Sequence, residues 1–253
     1  MTVVGSADAF NSSGRAHSCY LLEGSSFEGP VMVDFGATAL ARLRALGREP
    51  GELTGLLITH LHGDHIGGLP FFLIDALFNT RRTAPFQIMG PVGTRDAIDR
   101  LMRATYGELA DFERPYPLTI TETRPDTRVE FGGLQVATYP ADHMDPPDAP
   151  LCLAVTMDGA RVAFSGDTSM CDGLRAAMRD ADLAIVECTG MTHPIGRHCA
   201  WTDWLAELPA TSARRVVLTH LGSDVRAAAE AGSLVVAEGP PLEFAEDGKR
   251  LTP

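Results

Sequence analysis

Four times along this chain an apolar run of strand length ends in a histidine or an aspartate, and this recurrence limits the fold more than any other feature. Leu56-Leu57-Ile58-Thr59 runs into His60, and Val216-Val217-Leu218-Thr219 into His220. Val162-Ala163-Phe164-Ser165-Gly166 runs into Asp167, and Val136-Ala137-Thr138-Tyr139-Pro140-Ala141 leads to Asp142 and His143. Continuous apolar runs bounded by turns are the pattern of strands buried on both faces. Polar groups placed repeatedly at strand exits predict one shared site at one edge of the sheets, where open α/β folds hold their ligands.

The rest of the chain fits that frame. Further strands are expected at His17–Leu22, Val31–Phe35, Gln87–Met89, Leu151–Met157 and Leu183–Glu187. Helical patterns fall at Thr38–Leu46, Ile66–Phe78, Thr94–Tyr106, Gly173–Asp180, Ala200–Leu208 and Val225–Ala231. The three prolines of Asp145-Pro146-Pro147-Asp148-Ala149-Pro150 dictate a loop. With no linker or repeat in view, residues 1–253 read as a single α/β domain with two central sheets and helices outside.

Charge narrows the partners. Lys and Arg number 21 against 33 Asp and Glu, so the net charge is −12, which repels nucleic-acid backbones at long range. The pair Arg81-Arg82 reads as a solvated helix end rather than an anion guide. No apolar run is long enough to span a membrane, and Met1–Phe10 has neither the basic nor the apolar stretch of a secretory signal. Five scattered cysteines with no CxxC pair argue against a disulfide framework or a cysteine-built zinc site. They fit buried thiols in a reducing cytoplasm.

Thr59-His60-Leu61-His62-Gly63-Asp64-His65 concentrates three imidazoles and a carboxylate. His60 and His62 project to one side of an extended segment, and after the Gly63 turn Asp64 and His65 reach a second point. Neutral imidazole nitrogen and carboxylate oxygen are the ligands that Zn²⁺ takes. Singly, each residue has a plainer role: Asp64 as a helix N-cap, His60 as a satisfied core histidine. Together they do not.

His60-Leu61-His62-Gly63-Asp64-His65 resembles the HxHxDH signature of the metallo-β-lactamase superfamily. Asp142-His143, Ser165-Gly166-Asp167-Thr168 and Leu218-Thr219-His220 follow in the superfamily's order. The resemblance implies a four-layer αββα sandwich and two divalent ions, zinc first, with manganese or iron as alternatives. It implies that His60, His62 and His143 hold one ion and Asp64, His65 and His220 the other, with Asp167 bridging. Asp34 stands where the family often has an aspartate that orients a ligand, with helix capping as the other reading.

The activity so implied is hydrolysis by a metal-activated hydroxide. His198, which lies 220 − 198 = 22 positions before His220, matches a non-ligand histidine of ribonuclease Z and its relatives, as proton donor or phosphate clamp. Asp64 is expected to orient the nucleophile as well as bind metal. His17 and His193 lack such a match and read as structural or surface residues, although His17 could lie near the pocket. The motifs resemble the ribonuclease Z branch, yet only 167 − 143 = 24 positions separate the third histidine from the bridging aspartate. That leaves no room for a tRNA-gripping arm, so a small phosphodiester is expected in place of tRNA. A lactone, ester, thioester or β-lactam hydrolase is the alternative, and a non-catalytic metal-binding module the remote one. A homodimer would also be in keeping with the family, although Leu69-Pro70-Phe71-Phe72-Leu73-Ile74 reads better as a buried helix face than as an interface.

Overall fold

A computed structural model describes residues 1–192 and 196–253. His193, one of the histidines read as structural, lies outside the described residues. Two sheets run side by side, each with its strands in chain order. The first holds β1 (Thr2–Gly5), β2 (Cys19–Leu22), β3 (Val31–Val33), β4 (Gly55–Leu57), β5 (Phe86–Pro91) and β6 (Leu118–Thr123). The second holds β7 (Arg128–Phe131), β8 (Leu134–Pro140), β9 (Leu151–Met157), β10 (Ala160–Phe164), β11 (Leu183–Glu187), β12 (Val216–Thr219) and β13 (Leu242–Phe244). Each sheet begins with antiparallel pairs and ends with three parallel ones.

Alternation along the strands builds four layers. In β2, Tyr20 and Leu22 face the second sheet, while Cys19 and Leu21 face outward. In β12, Val217 points inward, and Val216 and Leu218 point out. The inward residues, among them Leu57, Leu153, Val155, Phe164 and Ile185, form the core between the sheets. Over the outer face of the first sheet lie α1 (Ala39–Ala45), α3 (Leu69–Ile74) and α4 (Thr94–Tyr106), which bury Leu43, Phe72, Ile98 and Met102. Over the second lie α5 (Asp172–Met178), α6 (Trp201–Glu207) and α7 (Ser223–Glu230), which bury Leu174, Trp204 and Val225. The αββα sandwich expected from the sequence is the fold observed.

The differences have physical reasons. The helix expected over Ile66–Phe78 is divided: α2 (Gly63–Ile66) stops at Gly67-Gly68, then α3 runs into a π-helical turn at Asp75–Asn79. Gly68 is needed there, because a Cβ would stand 2.3 Å from the Gly36 carbonyl oxygen. The apolar segment is a buried face in most of its residues, but Phe71 is exposed and stacks edge-on with Tyr106. Arg82 is not a solvated helix end. It is buried, and its guanidinium donates to the carbonyls of Ala84, Gly51 and Pro85. The strands absent from the sequence reading are β1, β6, β7 and β13, the four edges of the two sheets. Three of them are half-exposed, so they carry little of the continuous apolar signal that marks central strands.

The core between the sheets sets the stability of this arrangement. Leu153 is fully buried there, and Leu153→Ala should cost about 2–5 kcal/mol. Chemical denaturation should show this as a lowered midpoint with an unchanged slope.

Candidate metal centre

Strand direction gathers the ligating side chains. Because β8 and β10 are each antiparallel to β9, they run the same way, and β11 and β12 are parallel to β10. His143, Asp167 and His220 therefore leave the second sheet at one edge, beyond β8, β10 and β12. His60 and His62 lie beyond β4 of the first sheet, and Asp64 and His65 open α2. Two groups converge: His60, His62 and His143 form one, and Asp64, His65, Asp167 and His220 the other, their ligand atoms within 4.8 Å of one another in each. Asp167 faces both. Its Oδ2 lies 3.7 Å from His60 Nε2, 3.8 Å from His143 Nε2 and 3.3 Å from His220 Nε2, while Oδ1 lies 3.3 Å from His65 Nε2.

Hydrogen bonds behind these rings fix which nitrogen faces inward. Asp34 accepts from the Thr59 backbone N–H and the Thr59 hydroxyl, both at 2.8 Å, and from His65 Nδ1 at 2.8 Å. With its proton committed to Asp34, the Thr59 hydroxyl accepts from His60 Nδ1 at 3.2 Å. Thr189 repeats the device. It donates to Glu187 Oε2 at 2.7 Å and accepts from His220 Nδ1 at 2.9 Å. His143 Nδ1 donates to the Arg197 carbonyl at 2.9 Å. Four imidazoles therefore spend their Nδ1–H outward and turn Nε2 toward Asp167, the orientation that metal ligation requires. Nε2 of His60 and of His65 are buried without a hydrogen-bond partner. His62 meets His143 head-on, Nδ1 to Nε2 at 2.9 Å. Converging imidazole nitrogens, two of them buried without a partner, and a carboxylate between two groups fit a pair of divalent cations.

Electrostatics agree. Burial and the neighbouring His65 hold His60 well below the usual imidazole range, so it stays neutral. Burial opposes charge on His220 too, but Asp167 and the Asp64 contact outweigh it and raise the ring to about 9. Burial lowers His143 as well, so His60 and His143 are neutral donors, while the second group sets imidazoles against the carboxylates of Asp64 and Asp167.

Asp34 holds the ring of His65 and does not cap a helix, since α1 starts after Thr38. Asp64 lies in the first turn of α2 and caps nothing. His198 is brought to the cradle, its ring centroid 4.7 Å from that of His143 and 5.5 Å from that of His220. Its Nδ1 donates to Glu187 Oε1 at 2.8 Å. Burial alone would lower its pKa, but the hydrogen bond and charge of Glu187 raise it. His17 is buried beside this edge, where a Cβ on Gly36 would sit 2.8 Å from its own Cβ.

Sequence reasoning missed Glu187 and Thr189. Glu187 is fully buried, and beyond His198 and Thr189 it accepts from the Thr168 backbone N–H at 2.8 Å. The signal was present: Leu183-Ala184-Ile185-Val186 ends in a carboxylate, the same strand-exit pattern that picks out Asp167.

Comparison with known proteins places this geometry among relatives. A family model described as anti-Pycsar protein Apyc1 matches residues 1–238. The ribonuclease Z of Mycobacterium marinum is 33% identical over 153 residues, 56% of this chain and 54% of that protein. The chain thus spans a little over half the length of that relative. The metallo-β-lactamase fold protein YhfI of Bacillus subtilis superposes with a TM-score of 0.73 at 20% identity, covering 98% of this chain and 96% of that one. Human tRNase Z, short form, gives 0.74 at 24% identity, covering 98% and 96%.

The relay behind His65 can be tested by itself. Asp34→Asn keeps the shape but replaces one acceptor oxygen with an amide donor, so either Thr59 or His65 loses its partner. Zinc affinity by chelator competition should fall on the order of tenfold or more, with far-UV circular dichroism unchanged.

Proposed function

Because the chain belongs to the family described as anti-Pycsar protein Apyc1, within the ribonuclease Z-like metallo-β-lactamase fold, we propose that it is a two-metal hydrolase of small phosphodiesters, cyclic ones included. The observation that carries this reading is the pair of ligand groups sharing Asp167, with the His198–Glu187 pair beside them. His60, His62 and His143 would hold one ion, and Asp64, His65 and His220 the other, with Asp167 between. Zinc is the first expectation from the nitrogen and oxygen donor set, before manganese or iron. Two such ions supply Lewis-acid activation of water and neutralise charge on phosphate oxygens.

The residues of the chain supply the rest. Glu187 holds Nδ1–H of His198 and favours its protonated form, which leaves the Nε2 proton for a leaving-group oxygen. Asp64 Oδ2 lies 3.3 Å from His65 Nε2 and 3.4 Å from His220 Nε2, placed both to ligate and to orient an attacking water.

Size and charge support a small substrate. Between His143 and Asp167 the chain makes only the proline loop, β9 and β10. That loop carries Asp142, Asp145 and Asp148, all at least partly exposed. Together with a net charge of −12, such a rim opposes a polyanion far more than a single diester. Four of the five cysteines are buried and all are free thiols, which supports the cytoplasm as the compartment.

Purified protein reconstituted with zinc should hold about two ions per chain and hydrolyse bis-p-nitrophenyl phosphate and a cyclic mononucleotide. Turnover of a lactone panel or of precursor tRNA with none of either diester would overturn the substrate reading. Failure to take up metal would overturn the site itself. His60→Ala or Asp167→Ala should abolish activity and lower metal content. His198→Ala should keep both ions but slow a diester with a poor leaving group about 100-fold or more. Its effect on an activated nitrophenolate should be smaller, since that leaving group needs no proton.

A further inference from the structure

His143 differs from the other candidate ligands in its support. His60 and His65 are backed by Asp34 through buried side chains, and His220 by Thr189. His143 sits in a loop, and its Nδ1 rests on a main-chain carbonyl from another loop, that of Arg197. The same residue reaches back with its side chain. The Arg197 guanidinium donates to the Met144 carbonyl at 3.2 Å and to Asp145 Oδ1 at 2.5 Å, and stands 3.6 Å from Asp142 Oδ1. Carbonyl and guanidinium therefore grip the four residues 142–145 at both sides of His143.

We infer that Arg197 is a positioning residue for His143, a strap that closes the loop of residues 142–148 onto the loop carrying His198. The inference rests on the hydrolase reading only for its functional consequence. Asp142 has independent anchors, since its N–H donates to Thr168 Oγ1 and its carbonyl accepts from Ser169. Among the described residues, the hydrogen bonds that His143, Met144 and Asp145 make to the second loop all go to Arg197. An exposed ion pair by itself contributes little. Here one planar guanidinium makes two hydrogen bonds and a longer ion pair while its own carbonyl fixes the ring, and geometry of that kind separates arginine from lysine. The strap also sets the distance between His143 and His198, whose rings are in contact.

The protein of residues 1–253 as purified, and the same protein reconstituted with zinc or cobalt, serves for the test. The variants are Arg197→Ala, Arg197→Lys, and the swap that combines Arg197→Asp with Asp145→Arg. Arg197→Ala should leave the melting temperature within a few degrees of the parent. It should speed amide exchange across residues 142–148, weaken retention of one of the two ions on the order of tenfold against a chelator, and alter the cobalt visible spectrum. Arg197→Lys should restore part of this, and the swap more. Exchange, metal retention and spectrum all unchanged in Arg197→Ala would overturn the inference, as would a swap no better than the alanine variant. A parent protein that takes up no metal would sink the hydrolase reading instead, and the exchange comparison would still decide the role of Arg197.

Discussion

Three carboxylates, those of Asp34, Asp167 and Glu187, lie almost wholly out of solvent at one edge of this sandwich, and the arrangement around them follows from that. A buried carboxylate without partners is prohibitive. Each is matched differently. Asp34 takes three hydrogen bonds from Thr59 and His65. Glu187 takes Thr168, Thr189 and His198. Asp167 has no backbone or hydroxyl donor among the described contacts; it faces the Nε2 atoms of four imidazoles whose Nδ1–H groups point the other way. Two of the three acids are thus satisfied by close hydrogen bonds, and the third faces only imidazole nitrogens at 3.3–3.8 Å. That asymmetry is what a cation pair resolves.

The sandwich can hold such a cluster because both sheets switch from antiparallel to parallel pairing along their length. Parallel strands deliver their C-terminal ends to one edge, so ligands far apart in sequence meet without long loops. His60 and Asp167 come from different sheets, yet Leu151 N–H donates to the Thr59 carbonyl and ties them across the gap. Gly166 lies against the Thr59 side chain, at a φ of 58° that favours glycine. Close approach of the two sheet ends is therefore built from backbone as well as from packing.

Much of this was legible beforehand because burial writes itself into sequence. Central strands such as Leu151–Met157 and Leu183–Glu187 are apolar but for Thr156 and the terminal Glu187, and their bounds agree with the structure. The edge strands were lost for the converse reason: Leu118-Thr119-Ile120-Thr121 alternates, half-exposed, with parallel neighbours on one side only. Arg82 was misjudged because charge in sequence suggests solvent, while its donors are used up by three carbonyls of the chain. In the site, residues with metal-ligand chemistry announced themselves by spacing. Those that act through hydrogen bonds did not, since Thr59, Thr189 and Glu187 are ordinary residues until partners 25, 31 and 11 positions away are known.

That difference bears on how the site divides its labour. Ligands at strand ends and on α2 inherit the rigidity of the core, since Thr59, His60, His65, Asp167 and His220 are all buried. The proton-bearing His198 sits instead on a loop, clamped at its base where Thr189 N–H donates to the Cys199 carbonyl and Trp201 N–H to the Gly190 carbonyl. Trp204 adds a further brace by donating its indole N–H to the Glu187 carbonyl, so α6 pins the strand end from which the Glu187 side chain meets His198. The ring is then fixed through its partner. On the proposed reading, a fold organised this way can keep its candidate ligands on the core and change what it accepts through loops that carry His198 and the acidic rim.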